Sequence, residues 1–217
     1  MRRARSRAPV SSSTSRLAAG AVALTGLAGL AIQFSASLDQ TGSPVAALWA
    51  MLRYFTVIGN LLAVLVLGAI ALGMRSAARP QIIGGVTLFM LLIGVVYVTL
   101  LRGLLDLSGG ARLADTLLHY VMPLLVALHW LFFVRKGGLS SHDVLRWTLI
   151  PLAYFAYALV RAHFDGQYPY PFMNAARLGW PRTLLNAGVM ALGFLFAGAV
   201  LFWIDQLLGR LTGSARR

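Results

Sequence analysis

Six long runs of apolar residues follow one another along the chain, separated by short segments that carry Arg, Pro or Gly. A helix of about 20 apolar residues is long enough to cross the hydrocarbon core of a bilayer. Backbone groups inside lipid must be hydrogen-bonded within the segment, so each run is predicted to be α-helical. The predicted spans are residues 17–38, 46–73, 81–101, 116–134, 144–162 and 183–208. The pattern therefore predicts an all-α fold, a polytopic transmembrane bundle of six helices.

The six spans leave no room for a separate soluble domain. Residues 17–209 form one predicted transmembrane domain, between a basic, disordered N-terminal tail (1–16) and a basic C-terminal tail (210–217). The first span has a second interpretation as a cleaved signal peptide, because residues 35–37 (Ser-Ala-Ser) resemble a cleavage site. The run is longer than the apolar region of most signal peptides and five further spans follow it, which favours a retained helix.

Composition agrees with a membrane protein and excludes several other classes. Of the 217 residues, 59% are hydrophobic and 12% charged, whereas soluble domains carry roughly 25% charged residues. A net charge of +13 is also found in proteins that bind nucleic acids, but here the basic residues flank apolar runs. We therefore predict no nucleic-acid partner. The absence of cysteine excludes disulfides, thiolate chemistry and Cys-ligated metals.

The distribution of basic residues predicts an orientation in the membrane. Loops and tails on the side of the two termini carry 13 Lys and Arg residues, and the other side carries six. Because basic residues are retained in the cytoplasm, both termini are predicted to be cytoplasmic, in a cell membrane and most simply the bacterial cytoplasmic membrane. The longest outer loop, about 162–182, contains Tyr-Pro-Tyr-Pro at 168–171, which suits the headgroup layer or the cap of a cavity.

Polar residues inside the spans are candidates for function, because burying them in a membrane is costly. In the second span, helical spacing places Arg53, Thr56 and Asn60 on one face. In the fourth, Asp115 and His119 are four residues apart and also share a face. Both spans run from outside to inside, with Thr56 and His119 near their outer ends. The two side chains are therefore predicted to meet if these helices pack together.

These residue types suit the hydrolysis of an ester. A Thr hydroxyl is a weak nucleophile unless a neighbouring base accepts its proton, and His119 is a suitable base for Thr56. Asp115 is placed to orient the imidazole from one turn away. Asn60 is a candidate donor to a developing oxyanion, and Arg53 a candidate for binding a substrate carboxylate.

Each of these residues also has a structural interpretation. A Thr in a membrane helix commonly bonds the carbonyl four residues earlier, and an Asn commonly joins two helices. Asp115, just before Thr116, is typical of an N-cap. His119 is equally suited to be a polar anchor at the interface, and Arg53 to extend its charge to the headgroups.

No metal or cofactor is predicted from the sequence. No His, Asp or Glu cluster has the spacing of metal ligands. A haem held by His119 and His129 is disfavoured, because ten residues place them roughly 80° apart around a helix with 3.6 residues per turn.

Several motifs together resemble the bacterial Pr6Pr family of membrane proteins, which is similar to the eukaryotic androgen-induced / FAR-17a-like proteins. The motifs are Arg53-Tyr54-Phe55-Thr56 with Asn60, His119-Tyr120-Val121-Met122-Pro123, Trp147 through Pro151 with Tyr154, and Tyr168-Pro169-Tyr170-Pro171-Phe172. The resemblance covers most of the chain. The eukaryotic relatives are intramembrane threonine hydrolases that cleave fatty acid esters of hydroxy fatty acids. The resemblance thus implies that Thr56 is the nucleophile and His119 its base.

Two functions follow as hypotheses. The first is an intramembrane lipid ester hydrolase whose partners are membrane lipids or lipid esters. The alternative is a non-enzymatic multi-pass membrane protein that binds lipids, carries a small molecule or acts as a scaffold. Against a carrier, the sequence shows neither a broken helix near the midplane nor an inverted repeat.

Overall fold

The structure is a computed structural model that describes residues 12–213, and every regular element within this range is a helix. Residues 1–11 and 214–217, which belong to the two predicted tails, lie outside the described residues. The main helices are α1 (Ser13–Thr41), α2 (Pro44–Met51), α3 (Phe55–Ala71), α4 (Pro80–Leu101), α5 (Gly109–Phe133), α6 (Ser141–Asp165) and α7 (Trp180–Leu211). A 3-10 turn (Pro171–Met173) and a one-turn helix (Ala175–Leu178) lie between α6 and α7.

Five of these helices are long and apolar enough to cross a membrane, namely α1, α4, α5, α6 and α7. A sixth span results if α2 and α3 together count as one. The prediction of an all-α, multi-pass membrane protein is confirmed at this level. The first helix begins at Ser13, capped by the side chain of Ser12, so the helix includes the last residues of the predicted tail.

The prediction of one continuous helix over residues 46–73 is wrong. The chain bends by 96° between α2 and α3, at residues 52–54. The carbonyl of Arg53 accepts a hydrogen bond of 2.7 Å from the Tyr154 hydroxyl, and that of Leu52 one of 3.1 Å from Tyr157. In a continuous helix these carbonyls would accept backbone N–H groups four residues later. Side chains of α6 therefore stabilise the break.

The start of α1 and the end of α7 lie at the same end of the bundle, which we call the termini end. Arg16 in the first turn of α1 donates to the carbonyl of Ala71 at the end of α3. The loop after α5 meets both the start of α4 and the last turns of α7, where Gln81 donates to Gly138 and Gln206 to Leu139. The break before α3 lies at the opposite end, which we call the site end.

Candidate active site

Thr56 and His119 are in hydrogen-bond contact at the site end. Thr56 lies in the first turn of α3, and its Oγ1 is 3.2 Å from Nε2 of His119 on α5. Thr56 is 7% exposed, and the side chain of His119 is 16% exposed. The contact joins residues that are 63 positions apart in the chain. A hydroxyl at hydrogen-bond distance from an imidazole is the arrangement that activates a nucleophile.

The other imidazole nitrogen of His119 faces Asp115. Nδ1 lies 3.0 Å from the carboxylate Oδ1 and 3.1 Å from the backbone carbonyl of the same residue. A backbone carbonyl only accepts, so Nδ1 carries the proton and donates to these oxygens. Nε2 is then free to accept the proton of the Thr56 hydroxyl. Asp115 thus fixes the tautomer that a general base requires.

Asp115 does not open its helix, so the N-cap interpretation is wrong. The helix begins at Gly109, about two turns earlier, and its N-cap residue is Ser108. Asp115 is consequently an interior residue of α5. Its carboxylate serves side chains and not the free N–H groups of a helix start.

Tyr97, a residue that the sequence analysis did not single out, completes the chain of contacts. Its hydroxyl donates to Oδ2 of Asp115 over 2.5 Å. Its ring stacks on the imidazole of His119, with 4.0 Å between centroids and 20° between planes. Tyr97 therefore holds both the carboxylate and the imidazole. A tyrosine inside a predicted span was the only available signal, and it carries little information because tyrosines often anchor membrane helices.

The backbone widens into a π-helical turn at Tyr97 and at His119. The two turns are Tyr97–Leu101 in α4 and Leu117–Val121 in α5. Pro123 explains the second, since it has no N–H for the carbonyl of His119, four residues earlier. Gly94 of α4 approaches this place closely, and a Cβ there would lie 3.3 Å from the His119 carbonyl oxygen. Proline and glycine together set the separation between α4 and α5. Such π turns occur often at functional sites.

The bonding of Thr56 differs from that of most other threonines in residues 12–213. Seven of them donate to the carbonyl four residues earlier: Thr25, Thr41, Thr99, Thr116, Thr148, Thr183 and Thr212. For Thr56 that carbonyl belongs to Leu52, which lies in the break and accepts from Tyr157. The break thus frees the Thr56 hydroxyl for His119.

Asn60, one turn after Thr56 on α3, joins α3 to α5. Its amide nitrogen donates to the carbonyl of Thr56 over 2.9 Å and to the carbonyl of Leu118 over 3.2 Å. The amide has two N–H groups, and both are used. Asn60 therefore fixes the helices that carry Thr56 and His119, and it has no N–H left for an oxyanion in this arrangement.

Arg53 lies in the break before α3 and not on the helical face that the sequence predicted for it. Its guanidinium is 3.1 Å from Oδ2 of Asp165, which also pairs with Arg161 at 3.4 Å. Arg161 in turn lies 3.8 Å over the ring of Trp49 on α2. This network joins the end of α6 to both sides of the break, and among the described residues the Nε of Arg53 has no partner.

A narrow apolar cavity of about 50 Å³ begins at Thr56 and runs between α4, α6 and α7. The segment between α6 and α7 covers it with Tyr170, Phe172 and Met173. The Tyr-Pro-Tyr-Pro loop therefore caps a cavity, one of the two placements that its sequence predicted.

The hydroxyl of Tyr170 interacts with the side chain and the backbone of Thr56. Burial raises the pKa of this hydroxyl, while its contacts with Thr56 act in the opposite direction. A hydroxyl with a raised pKa stays protonated at neutral pH. Tyr170 thus places a neutral hydroxyl beside the candidate nucleophile.

His129 is separate from this site. It is 2% exposed and stacks on Phe133, one turn later in α5, with 5.3 Å between ring centroids. Within residues 12–213, no group of three or more His, Asp or Glu side chains is arranged to hold a metal ion.

Comparisons of the chain with models of protein families, with curated proteins and with solved structures each found no match.

Proposed function

We propose that this chain is an intramembrane lipid ester hydrolase in which Thr56 is the nucleophile and His119 the base. The resemblance to the Pr6Pr family and to the threonine hydrolases similar to it supports the proposal, and fatty acid esters of hydroxy fatty acids are the substrates that it suggests. The excess of basic residues on the side of the termini favours a cytoplasmic location for both termini. In that orientation the site faces the outer leaflet of the cell membrane. A lipid ester then enters laterally from that leaflet.

The observation that carries the proposal is the ordered contact from Asp115 through His119 to Thr56. The Thr56 hydroxyl donates to Nε2 over 3.2 Å, and Nδ1 faces the Asp115 carboxylate at 3.0 Å. Nucleophile, base and orienting group are therefore connected in the order that nucleophilic catalysis requires. The cavity provides an apolar space at the hydroxyl.

In the first half of the reaction, Oγ1 of Thr56 attacks the ester carbonyl carbon as its proton moves to Nε2 of His119. The tetrahedral intermediate carries a negative oxygen, and the Tyr170 hydroxyl is the donor that we assign to it. The intermediate then expels the alcohol oxygen, which takes the proton from Nε2. An acyl-threonine and a free alcohol result.

In the second half, water gives a proton to Nε2 of His119 and attacks the acyl carbon. The Thr56 oxygen leaves and regains the proton, and a fatty acid is released. Asp115 stabilises the imidazolium that forms in both halves. We assign a carboxylate on the substrate to Arg53, whose Nη2 is held by Asp165 while its buried Nε has no partner among the described residues.

Replacing the pair tests this function in purified protein. We expect Thr56→Ala and His119→Ala to lower ester hydrolysis by about 10³-fold, because each removes a group that forms or breaks bonds. Thr56→Ser should retain part of the activity. Thr99→Ala is the matched control, since the Thr99 hydroxyl only bonds the Val95 carbonyl. Full hydrolysis by Thr56→Ala and His119→Ala would show that the mechanism is wrong.

A lipid-binding protein without catalysis is the second candidate, favoured by the low exposure of Thr56 and the predominantly apolar lining of the cavity. An activity-based fluorophosphonate probe separates the two. Labelling that is lost in Thr56→Ala supports the hydrolase. Absence of labelling in folded wild-type protein, together with binding of fatty acids, supports the lipid-binding protein.

A further inference from the structure

The cavity that begins at Thr56 is closed at its other end by aromatic rings. On α7 the residues that line it run from Ala187 to Phe194, which at 1.5 Å per residue is about 10 Å along the helix. Of these, Phe194 lies nearest to the termini end. Its ring packs 6.3 Å from that of Phe55 and 6.3 Å from that of Phe89, measured between centroids. Phe55 and Phe89 are 6.1 Å apart, so the three rings form one cluster.

Beyond this cluster, α7 packs closely against its neighbours. One turn after Phe194, a Cβ at Gly198 would lie 2.6 Å from a methyl group of Val144 and 3.4 Å from one of Leu88. The backbone of α7 therefore touches its neighbours directly at that level. Phe194 is 5% exposed and Phe89 is 2% exposed, which is typical of a packed core.

The cavity thus has the Thr56 hydroxyl at one end and the packed cluster of aromatic rings, its apolar floor, at the other. Leu152 also lines the cavity and is 40% exposed, so the cavity reaches the outer surface of the bundle at this side chain. Between these ends the walls are formed mainly by aliphatic and aromatic side chains, among them Leu92, Val96 and Met190. A hydrocarbon chain is the occupant that such walls favour, because it gains from leaving water and has no polar group to satisfy.

We infer that the cavity binds the acyl chain of the ester and that Phe194 limits the length of chain that it accepts. The inference rests on the proposed function, because it places the ester carbonyl at Thr56. From there the acyl chain extends toward Phe194, and the alcohol half of the ester lies in the opening at Leu152. The narrow cavity favours short chains in the wild-type protein.

Shortening the side chain that forms the floor should change chain-length specificity. We expect Phe194→Ala to shift the kcat/KM profile for a series of 4-nitrophenyl esters with saturated C4 to C16 acyl chains toward longer chains. Each methylene newly accepted by an apolar pocket changes kcat/KM by about 10-fold or more. Phe194→Leu should shift the profile less. The measurement uses the full chain in lipid nanodiscs.

Two further variants control the experiment. Phe196, two residues later on α7, is 73% exposed on the outside of the bundle, so Phe196→Ala should leave the profile unchanged. Ala191 lines the cavity about one turn before Phe194, and Ala191→Phe should shift the profile toward shorter chains. If Phe194→Ala and Phe196→Ala give the same profile in folded protein, Phe194 does not limit the chain and the inference fails, whatever the level of activity.

Binding separates this inference from the proposed function. In the Thr56→Ala background, unlabelled fatty acids of C4 to C16 compete with a fluorescent fatty acid for the protein. A shift toward longer competitors on adding Phe194→Ala, and not on adding Phe196→Ala, supports the acyl site even if wild-type protein hydrolyses no ester. Hydrolysis by wild-type protein with no shift in either experiment would support the hydrolase and overturn the acyl site.

Discussion

Buried and half-buried polar residues occupy two ends of this bundle, and their partners differ in kind. At the site end, Tyr97, Asp115, His119 and Thr56 contact one another through their side chains. At the termini end, the ammonium group of Lys136 donates to the carbonyls of Trp130 and Val134, where α5 ends. The first group ends in a hydroxyl beside a cavity, whereas the second closes a helix terminus.

The termini end shows how a buried charge can be structural. Lys136 is 6% exposed and lies 4.3 Å over the ring of Trp130. Its ammonium group bonds the last carbonyls of α5, of which that of Trp130 also accepts the N–H of Val134 over 3.4 Å. Asp205 of α7 is fully buried and accepts the N–H of Leu139 over 3.1 Å. Gly209 lets α7 approach closely, since a Cβ there would lie 2.7 Å from the Cα of Gly137.

The difference between the two ends is therefore a matter of bonding partners. An ionisable residue inside a membrane protein is a functional candidate by default, and both ends meet that criterion. Among the described residues, the site end is where a hydroxyl, an imidazole in contact with it and an apolar cavity occur together. If this distinction is correct, substitutions at the site end change activity more than stability, and substitutions at the termini end do the reverse.

Beyond the Thr56–His119 pair itself, the largest effect is expected at Asp115. Asp115→Asn removes the carboxylate that faces Nδ1 of His119 and stabilises its imidazolium, so hydrolysis should fall roughly 10²- to 10³-fold. The unfolding temperature should change little. Asp106→Asn, at an exposed loop position, is the control for the loss of one negative charge. Equal hydrolysis by the two variants would remove Asp115 from the mechanism.

At the termini end, Lys136→Met should lower stability. The substitution removes the ammonium donor from two carbonyls, of which that of Trp130 keeps the N–H of Val134, and it leaves Asp205 without its nearby cation. We expect a loss of about 2 kcal/mol in the free energy of unfolding. Thermal unfolding followed by circular dichroism measures the loss. Hydrolysis below the unfolding temperature should match wild type, and a loss of hydrolysis in folded protein would contradict the separation between the two ends.

A smaller effect on hydrolysis is expected at Tyr97. Tyr97→Phe keeps the ring on His119 and removes only the hydrogen bond to Asp115, a loss of about 1.5 kcal/mol or roughly tenfold in kcat. Tyr97→Leu also removes the stacked ring and should lower kcat further. We expect KM to stay close to wild type in both. A change in KM alone would indicate that Tyr97 contacts the substrate and does not position the imidazole.

The smallest effect concerns pH and Lys136. Burial lowers the pKa of its ammonium group from 10.5 to about 8, although the nearby Asp205 opposes the shift. Between about pH 8 and 10.5 the unfolded chain keeps this proton while the folded chain releases it, so stability from this group rises with pH in that window. The difference in unfolding temperature between wild type and Lys136→Met should therefore grow from pH 8 to pH 10. A constant difference would show that the pKa is not lowered.

Much of the fold could be predicted because apolar runs long enough to cross a bilayer leave the backbone few alternatives to helix. The encounter of Thr56 with His119 follows from the same pattern, since it requires only that the second and fourth spans run in one direction and pack together. Helix ends were harder to predict. The helix that contains Asp115 begins at Gly109, earlier than the predicted span at 116. Its first turns are polar and lie outside the apolar run that marks a span, so the hydrophobic pattern does not show them.

The break between α2 and α3 could not be predicted, because hydroxyl groups from α6, about 100 residues later in the chain, stabilise it. The role of Tyr97 could not be predicted from the sequence for a similar reason. Its contacts depend on two π-helical turns and on the close approach of Gly94 to α5, and none of these is visible in residue spacing.

The sequence by itself determined that the chain is a bundle of apolar helices, with Thr56 and His119 near the same end. Those properties depend on local hydrophobicity and on helix direction. Only the tertiary structure decided that the Thr56 hydroxyl is available to His119, that Tyr97 and Asp115 hold the imidazole, and that a cavity ends at Phe194. Each of these depends on a distance between different helices, which is set by side-chain packing and by hydrogen bonds across the bundle.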